Sequence, residues 1–371
     1  TAMHMTSKFT IRRRHVAAGA LLFSVLLSGC QKLYNLPEEK EYLSENISYD
    51  NKILQPIIGR NNLMGQFNAD GSTQPLQFEI VNARYGDGRP VTDLFQVRPT
   101  YVWTGAYDGK ETSLEQIEAK RRIEERPLFE VRQSGQFILW AASTNDLIEP
   151  RPADSSNLVQ DIRFFDVKIS NTGGTAYLRD FQIIPWRERP YEPSTDINPY
   201  TGGPAPDPTD RENPNKRDYI RPWLNNVIGE QSNRPLQSND QIKDVVVYIR
   251  PFEGGNGRNL RFRFMAPDST YIHPDAFNET RWTRLVHGFN MEKTDEYVQY
   301  DVAYPIPLVN IQTPYTNSNG SRAALEFRYS RKGFGGELTY GSFGLEFAIF
   351  RPGDWEIVFH FRNEKPKFED E

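Results

Sequence analysis

The chain has 371 residues, with 44 basic and 49 acidic side chains, a formal net charge of −5 and 13% aromatic residues. That length suggests about two domains of roughly 100–200 residues each. The acidic balance argues against nucleic-acid binding, which relies on clustered basic residues. The single cysteine, Cys30, excludes an internal disulfide, so burial must supply the stability.

Arg12, Arg13 and Arg14 precede an apolar run from Val16 to Leu27 that is too short for a comfortable membrane span. The run ends in Leu27-Ser28-Gly29-Cys30, small residues leading to the one side chain able to take a thioether-linked lipid. This succession resembles the bacterial lipobox. It implies a signal peptide over residues 1–29 and a lipid on Cys30 as the hold on a membrane. Residues 1–29 carry Lys8 and three arginines but no acid, so their removal takes the net charge from −5 to −9. Residues 30–50 read as a tether, acidic at Glu38, Glu39 and Glu41 and broken by Pro37.

A first folded region is expected over residues 51–190. A capping-box pattern, Thr112-x-x-Glu115, predicts one short surface helix from Thr112 to about Glu125 with Leu114, Ile117 and Ile123 as its apolar stripe. Apolar and polar residues alternate in Leu128 to Val131, Gln136 to Ala141 and Asp161 to Ile169, which predicts strands. The phase change between Phe164 and Phe165 predicts a β-bulge. Asn171-Thr172-Gly173-Gly174 then turns the chain into a strand from Ala176 to Ile184. Residues 191–235, crowded with proline and Gly202-Gly203, read as a linker or long loop, since proline suits neither helix nor central strand.

Residues 236–365 alternate most clearly. Val245, Val247 and Ile249 form one apolar set; Leu260, Phe262 and Phe264 form another after the Gly254 to Gly257 turn. Leu325, Phe327 and Tyr329 follow, then Leu345, Phe347 and Ile349, then Trp355, Ile357, Phe359 and Phe361 beyond Pro352-Gly353. Asp275 to His287 fits a short helix or a strand equally. Residues 366–371 read as a charged tail. The predicted fold is all-β: two antiparallel, Ig-like β-sandwich domains with a short surface helix and a Pro-rich linker.

Motifs for catalysis are missing. The three histidines beyond the signal segment, His273, His287 and His360, show no metal-ligand spacing, and no nucleophile elbow, phosphate loop or zinc-protease pattern occurs. His360 reads as a surface residue on the wetter side of a strand. Asn68-x-Asp70-Gly71 and Asp207-Pro208-Thr209-Asp210 are oxygen-rich turns that match no recognised calcium loop. The expectation is a non-enzymatic protein with no cofactor and no metal, although a carboxylate pair of a glycoside hydrolase type leaves no sequence signature.

The aromatics are the functional hint. Trp186, Tyr191 and Trp223 lie in or beside the Pro-rich stretch, where a flat ring can face a sugar while neighbouring charged groups meet its hydroxyls. They are the candidate glycan-stacking residues; the competing reading is that they pin the stretch to the sandwiches. With the lipobox, acidic tether, aromatic-rich sandwiches and the ending Phe347-Ala348-Ile349-Phe350-Arg351-Pro352-Gly353-Asp354-Trp355-Glu356-Ile357, the chain resembles uncharacterised surface lipoproteins of Bacteroidetes. Many of these accompany starch-utilisation-type importers, in which a TonB-dependent barrel works with a lipoprotein. The resemblance implies an outer-membrane, lipid-anchored protein, on either face, that captures polysaccharide or supports a TonB-dependent transporter. A structural or assembly lipoprotein with protein partners alone is the alternative, and a hydrolase is the third reading.

Overall fold

The computed structural model describes residues 40–152 and 162–371. Cys30, the signal segment and the first part of the tether lie outside them. Among the described residues no helix is long and apolar enough to cross a membrane.

The fold is all-β. The first half carries β1 (Ser48–Tyr49), β2 (Ile53–Leu54), β3 (Asn62–Met64), β4 (Phe67–Asn68), β5 (Gln77–Tyr85) and β6 (Val97–Trp103). Among the described residues a single α-helix, α1 (Leu114–Glu118), precedes β7 (Arg121–Pro127), β8 (Phe129–Val131), β9 (Phe137–Leu139), β10 (Arg163–Asn171) and β11 (Gly174–Ile183). Sheet β2-β11-β10-β5 packs against sheet β3-β9-β8. Between them Phe165 meets Phe129 and Phe137 edge-on at 5.4 and 5.3 Å, the arrangement that ring quadrupoles favour. Ile47 and Tyr49, placed by sequence in the tether, are buried in this core.

The second half carries β12 (Tyr191–Glu192), β13 (Trp223–Asn225), β14 (Val245–Pro251), β15 (Asn259–Met265), β16 (Phe289–Lys293), β17 (Val298–Asp301), β18 (Ala323–Lys332), β19 (Leu338–Ile349) and β20 (Trp355–Phe361). One sheet runs β14-β20-β15-β17-β16; in the other, β19 pairs with β18, β12 and β13. Phe327 and Phe343 from the second sheet reach Phe359 of the first at 5.2 and 5.3 Å. Each such ring removed from water contributes about 1.5–3 kcal/mol.

Several expectations need correction. The helix spans Leu114–Glu118 only, capped by Ser113, whose hydroxyl accepts from the Gln116 N–H. The rest of its expected length, with Ile123, is the strand β7, an exposed ribbon paired with β6 whose charges on both faces erase any period. The β10 bulge lies at Phe165 to Val167 against β11 and at Phe164 to Asp166 against β5, close to the expected position. Among the described residues two strand pairs are parallel, β2 with β11 and β15 with β20, and the isolated bridge of Ile57 to Trp186 runs parallel too. Asp275 to His287 forms two short 3-10 turns, Pro274–Ala276 and Trp282–Arg284. The tail is held rather than free: Phe368 packs on Phe277 and Tyr329.

Residues 191–235 are built onto the second core, where Tyr191, Ile220 and Val227 are buried together with Leu236 just beyond. Single backbone bridges fasten the stretch, among them Ile220 to Val247 and Ile228 to Pro235. Tyr219 lies over the outer face of β14, meeting Tyr248 edge-on at 6.1 Å, and Val246 and Val358 on that face are buried. His360 is therefore half-buried, its Nδ1 3.1 Å from the Tyr248 hydroxyl. Burial, with the charge of Arg362, pushes its pKa below the usual histidine value.

The halves touch through specific contacts. Leu114 and Ile117 of α1 pack on Ala303. Arg121 reaches the Tyr304 carbonyl at 2.7 Å, and Arg60 lies 3.7 Å over the Phe350 ring while pairing with Glu192.

Candidate functional site

The three aromatics singled out by sequence do not converge. Trp186 bridges Ile57 in the first half; the Arg151 guanidinium covers it at 3.9 Å and its Nε1 donates to Gln55. Tyr191 is only 8% exposed. Its hydroxyl donates to Asp196 at 2.8 Å and its ring meets Trp355 edge-on at 6.0 Å. It is thus a core residue, correcting the expectation that it presents a flat face: the backbone pairing of Tyr191 with Ile349 turns the ring inward. Trp223 alone stands open, 40% exposed.

Trp223 occupies the outer face of the second sheet for a reason visible in the register. It pairs with Gly344 on β19, which pairs with Glu326 on β18. A Cβ on Gly344 would come within 2.6 Å of Trp223 Cζ2, so only glycine lets the indole lie across the strand. The next row is Asn225, Ser342 and Arg328, and beyond it Tyr340 faces Ser330. Strand spacing of about 4.8 Å places Trp223 and Glu326 on backbones roughly 10 Å apart.

The β18 side of this face opens into a cleft of about 600 Å³ lined by Arg281, Arg284, Leu285, Tyr315, Glu326 and Arg328, among others. Its walls are held by identifiable contacts. The free edge of β18 is occupied by side chains and backbone of residues 278–280: Asn278 accepts from the Ser330 N–H, and Thr280 Oγ1 accepts from the Arg328 N–H at 2.8 Å. That places Arg281 beside Arg328. Trp282 then anchors the turn, its ring against Phe264 and Phe327 and its carbonyl accepting from Tyr300 at 2.5 Å. Arg281 and Arg284, on either side of that anchor, remain exposed. Tyr315 is stacked on His287 at 4.9 Å with ring planes 2° apart, and His287 is fixed by the Tyr107 hydroxyl and the Glu111 carbonyl.

The lining of the cleft brings together a fixed phenol, three guanidiniums and the Glu326 carboxylate, with the Trp223 indole beside it; Glu346 and Tyr340 of β19 share the same outward phase, and Glu279 accepts from the Ser330 hydroxyl. Arg328 and Glu326 are 3.9 Å apart and both are well exposed, a pairing worth little in water. Neither Arg281 nor Arg284 has a carboxylate within ion-pair distance among the described residues. The two oxygen-rich turns are satisfied internally. Asp207 accepts from Lys243, Thr209 Oγ1 and the Thr209 N–H, and the Lys243 hydrogen bond foremost holds its carboxyl well below the usual range. Asp70 accepts from the Ser44 hydroxyl.

Sequence reasoning found Trp223 and missed its neighbours. Glu326 and Arg328 were visible only as the polar phase of a strand, and Arg281 and Arg284 sat in a segment of ambiguous period. Gly344, a glycine within a strand, was the available signal of a close approach.

A larger cleft of about 930 Å³ lies where the two halves meet, with Leu63, Tyr101, Trp140, Ile311 and Phe350 among its lining residues. It is mostly apolar and includes the open edges of β2 and β3.

No curated protein matches this chain. Over residues 67–370 the chain matches the family described as a domain of unknown function, DUF5007, and it belongs to that family.

Proposed function

We propose that this protein is an outer-membrane lipoprotein, held by lipid on Cys30, that binds glycan on the open β13–β19–β18 face as an accessory of a TonB-dependent nutrient uptake system of the Bacteroidetes type. The observation that carries the binding half is Trp223 lying across Gly344 beside the arginine-lined cleft. An indole supported by sheet backbone offers its apolar surface at little further entropic cost, and the guanidiniums beside it supply directional donors. The lipobox-like segment and the resemblance described above support the anchoring and uptake half.

Binding of wild type and Trp223→Ala to a broad set of immobilised polysaccharides tests the proposal. The variant should lose roughly 1–3 kcal/mol of affinity, as large aromatic anchors do elsewhere. Equal retention by both proteins, or none by wild type, would refute it.

One feature favours an assembly role as the second reading. Val97, Tyr101 and Ile123 share one face of the β6–β7 ribbon and are all exposed, a patch suited to a protein neighbour. Recovery of a barrel partner through this patch, with no glycan retained, would favour that role. A hydrolytic role is less supported, since the arginine-lined cleft supplies Glu326 as its one carboxylate and hydrolysis by this chemistry uses two.

A further inference from the structure

We infer that the ligand of the β13–β19–β18 face is an acidic glycan, one whose sugars carry carboxylate or sulfate groups; this rests on the glycan-binding reading above. Among the residues lining the cleft, Arg281, Arg284 and Arg328 stand against Glu326, three cations to one anion, while Glu346 and Glu279, the neighbouring carboxylates, are engaged by Asn317 and Ser330 outside the lining. A guanidinium is a donor with no acceptor capacity, so these walls are rich in donors and poor in acceptors. A neutral sugar hydroxyl both donates and accepts and is served by a balanced wall. A carboxylate or sulfate only accepts, and its paired oxygens match the planar fork of arginine.

The cluster is no by-product of a basic protein. The chain has a net charge of −5, so this local concentration of positive charge stands against the field of the whole molecule. Nor are the arginines loosely held. Arg328 rises from a strand whose edge is fixed by Thr280, and Arg281 and Arg284 flank the half-buried anchor Trp282. The backbone positions that carry the donors are therefore fixed, which limits the ordering left to the side chains on binding. Trp223 and Tyr315 add ring surface along the same face, which a polymer of sugar rings would use and a free inorganic anion would not.

The test compares matched polymers on the mature chain: polygalacturonate against its methyl ester, and dextran sulfate against dextran. Wild type should retain an acidic member of at least one pair and bind its neutral counterpart at least tenfold more weakly. Retention of polygalacturonate alone assigns a carboxylate ligand; retention of dextran sulfate alone assigns a sulfate ester. Arg281→Glu and Arg284→Glu should each weaken acidic binding roughly tenfold with an unchanged melting temperature, because both side chains are exposed. Arg281→Gln and Arg284→Gln should give a smaller loss, and raising ionic strength to about 0.5 M should weaken wild type further. Trp223→Ala should also reduce acidic binding; no effect would place the acidic ligand elsewhere and overturn the inference. Equal binding of neutral and acidic partners, unaffected by the arginine variants, would overturn the inference while leaving glycan binding intact. Failure of all four polymers to bind would remove both. A single-stranded oligonucleotide bound as tightly as the acidic glycan would overturn the choice of ligand class.

Discussion

Replacing Arg121 with alanine removes one of the contacts that join the two halves of the molecule. Its Nη1 donates to the Tyr304 carbonyl at 2.7 Å, its Nε and Nη2 hold Glu118, and its guanidinium lies 4.3 Å from the Tyr101 ring. The residue is buried. Truncation leaves the Tyr304 carbonyl without this donor, which costs about 1–3 kcal/mol in a buried setting. Loss of the cation–ring contact adds about 0.5–1 kcal/mol or somewhat more. The Glu118 side chain is 44% exposed, so water replaces its lost partner cheaply and the ion pair adds little. The expected total is about 2–4 kcal/mol, measured as a lower urea midpoint followed by tryptophan fluorescence, with the slope unchanged. Arg121→Lys keeps the charge without the fork and should fall between the two. A change below about 1 kcal/mol for the alanine variant would show that the contact between the halves rests on α1 packing and His287 instead.

Further outcomes follow from single residues. Trp355 is 3% exposed and its Nε1 donates to the Arg351 carbonyl at 2.9 Å, so Trp355→Ala should cost roughly 3–5 kcal/mol in thermal or chemical unfolding; a change below about 1 kcal/mol would contradict its place in the core. At the buried Asp166, burial opposes ionisation, but hydrogen bonds from Asn82 Nδ2 and the Asp180 N–H, with the charge of Arg84, outweigh it and hold the pKa below the usual value. A depressed carboxylate adds stability that is present above its ordinary pKa near 3.8 and is lost as pH falls through the folded value. Asp166→Asn should therefore be less stable than wild type at pH 7 and should flatten the decline below about pH 4; an unaltered pH profile would argue against this role. Cys30→Ala should abolish incorporation of labelled palmitate, and labelling at the wild-type level would remove the lipid anchor from the proposal.

The legible parts of the fold are those where one strand buries one face. Leu260, Phe262 and Phe264, and likewise Leu325, Phe327 and Tyr329, alternate in the sequence because their opposite faces are wet or lightly covered. Alternation fails for β20, where Glu356 and Val358 are buried beside Ile357 and Phe359, since the outer face of that sheet is covered in turn. The ribbon β6–β7 was misread because Arg122, Glu124 and Arg126 pair with one another along a single strand, leaving charges where a helix would also put them. The proline-crowded stretch hid its packing for a different reason. Its attachments are isolated bridges, such as Ile197 to Pro204 and Pro206 to Arg217, and one pairing at a time produces no period. The candidate site was half legible. Trp223 is conspicuous as a tryptophan outside the strong strands, whereas Gly344 joins it only through a pairing more than a hundred residues apart in sequence, and Glu326 only through Gly344.

The position of β20 bears on how the molecule is assembled. It is the last strand in chain order, yet it sits inside its sheet, antiparallel to β14 and parallel to β15. A chain emerging from its N-terminus therefore exposes β14 and β15 as bare backbone edges until residues 355–361 arrive. Those edges are templates for pairing with other molecules, and the long separation between β15 and β20 makes their closure slow. A product truncated ahead of Trp355 would lack the shared middle of the sheet, along with Ile357, Phe359 and Phe361 from the core. Premature termination here yields an aggregation-prone fragment rather than a smaller working protein, and the arrival of residues 355–361 becomes the step that licenses folding of this half.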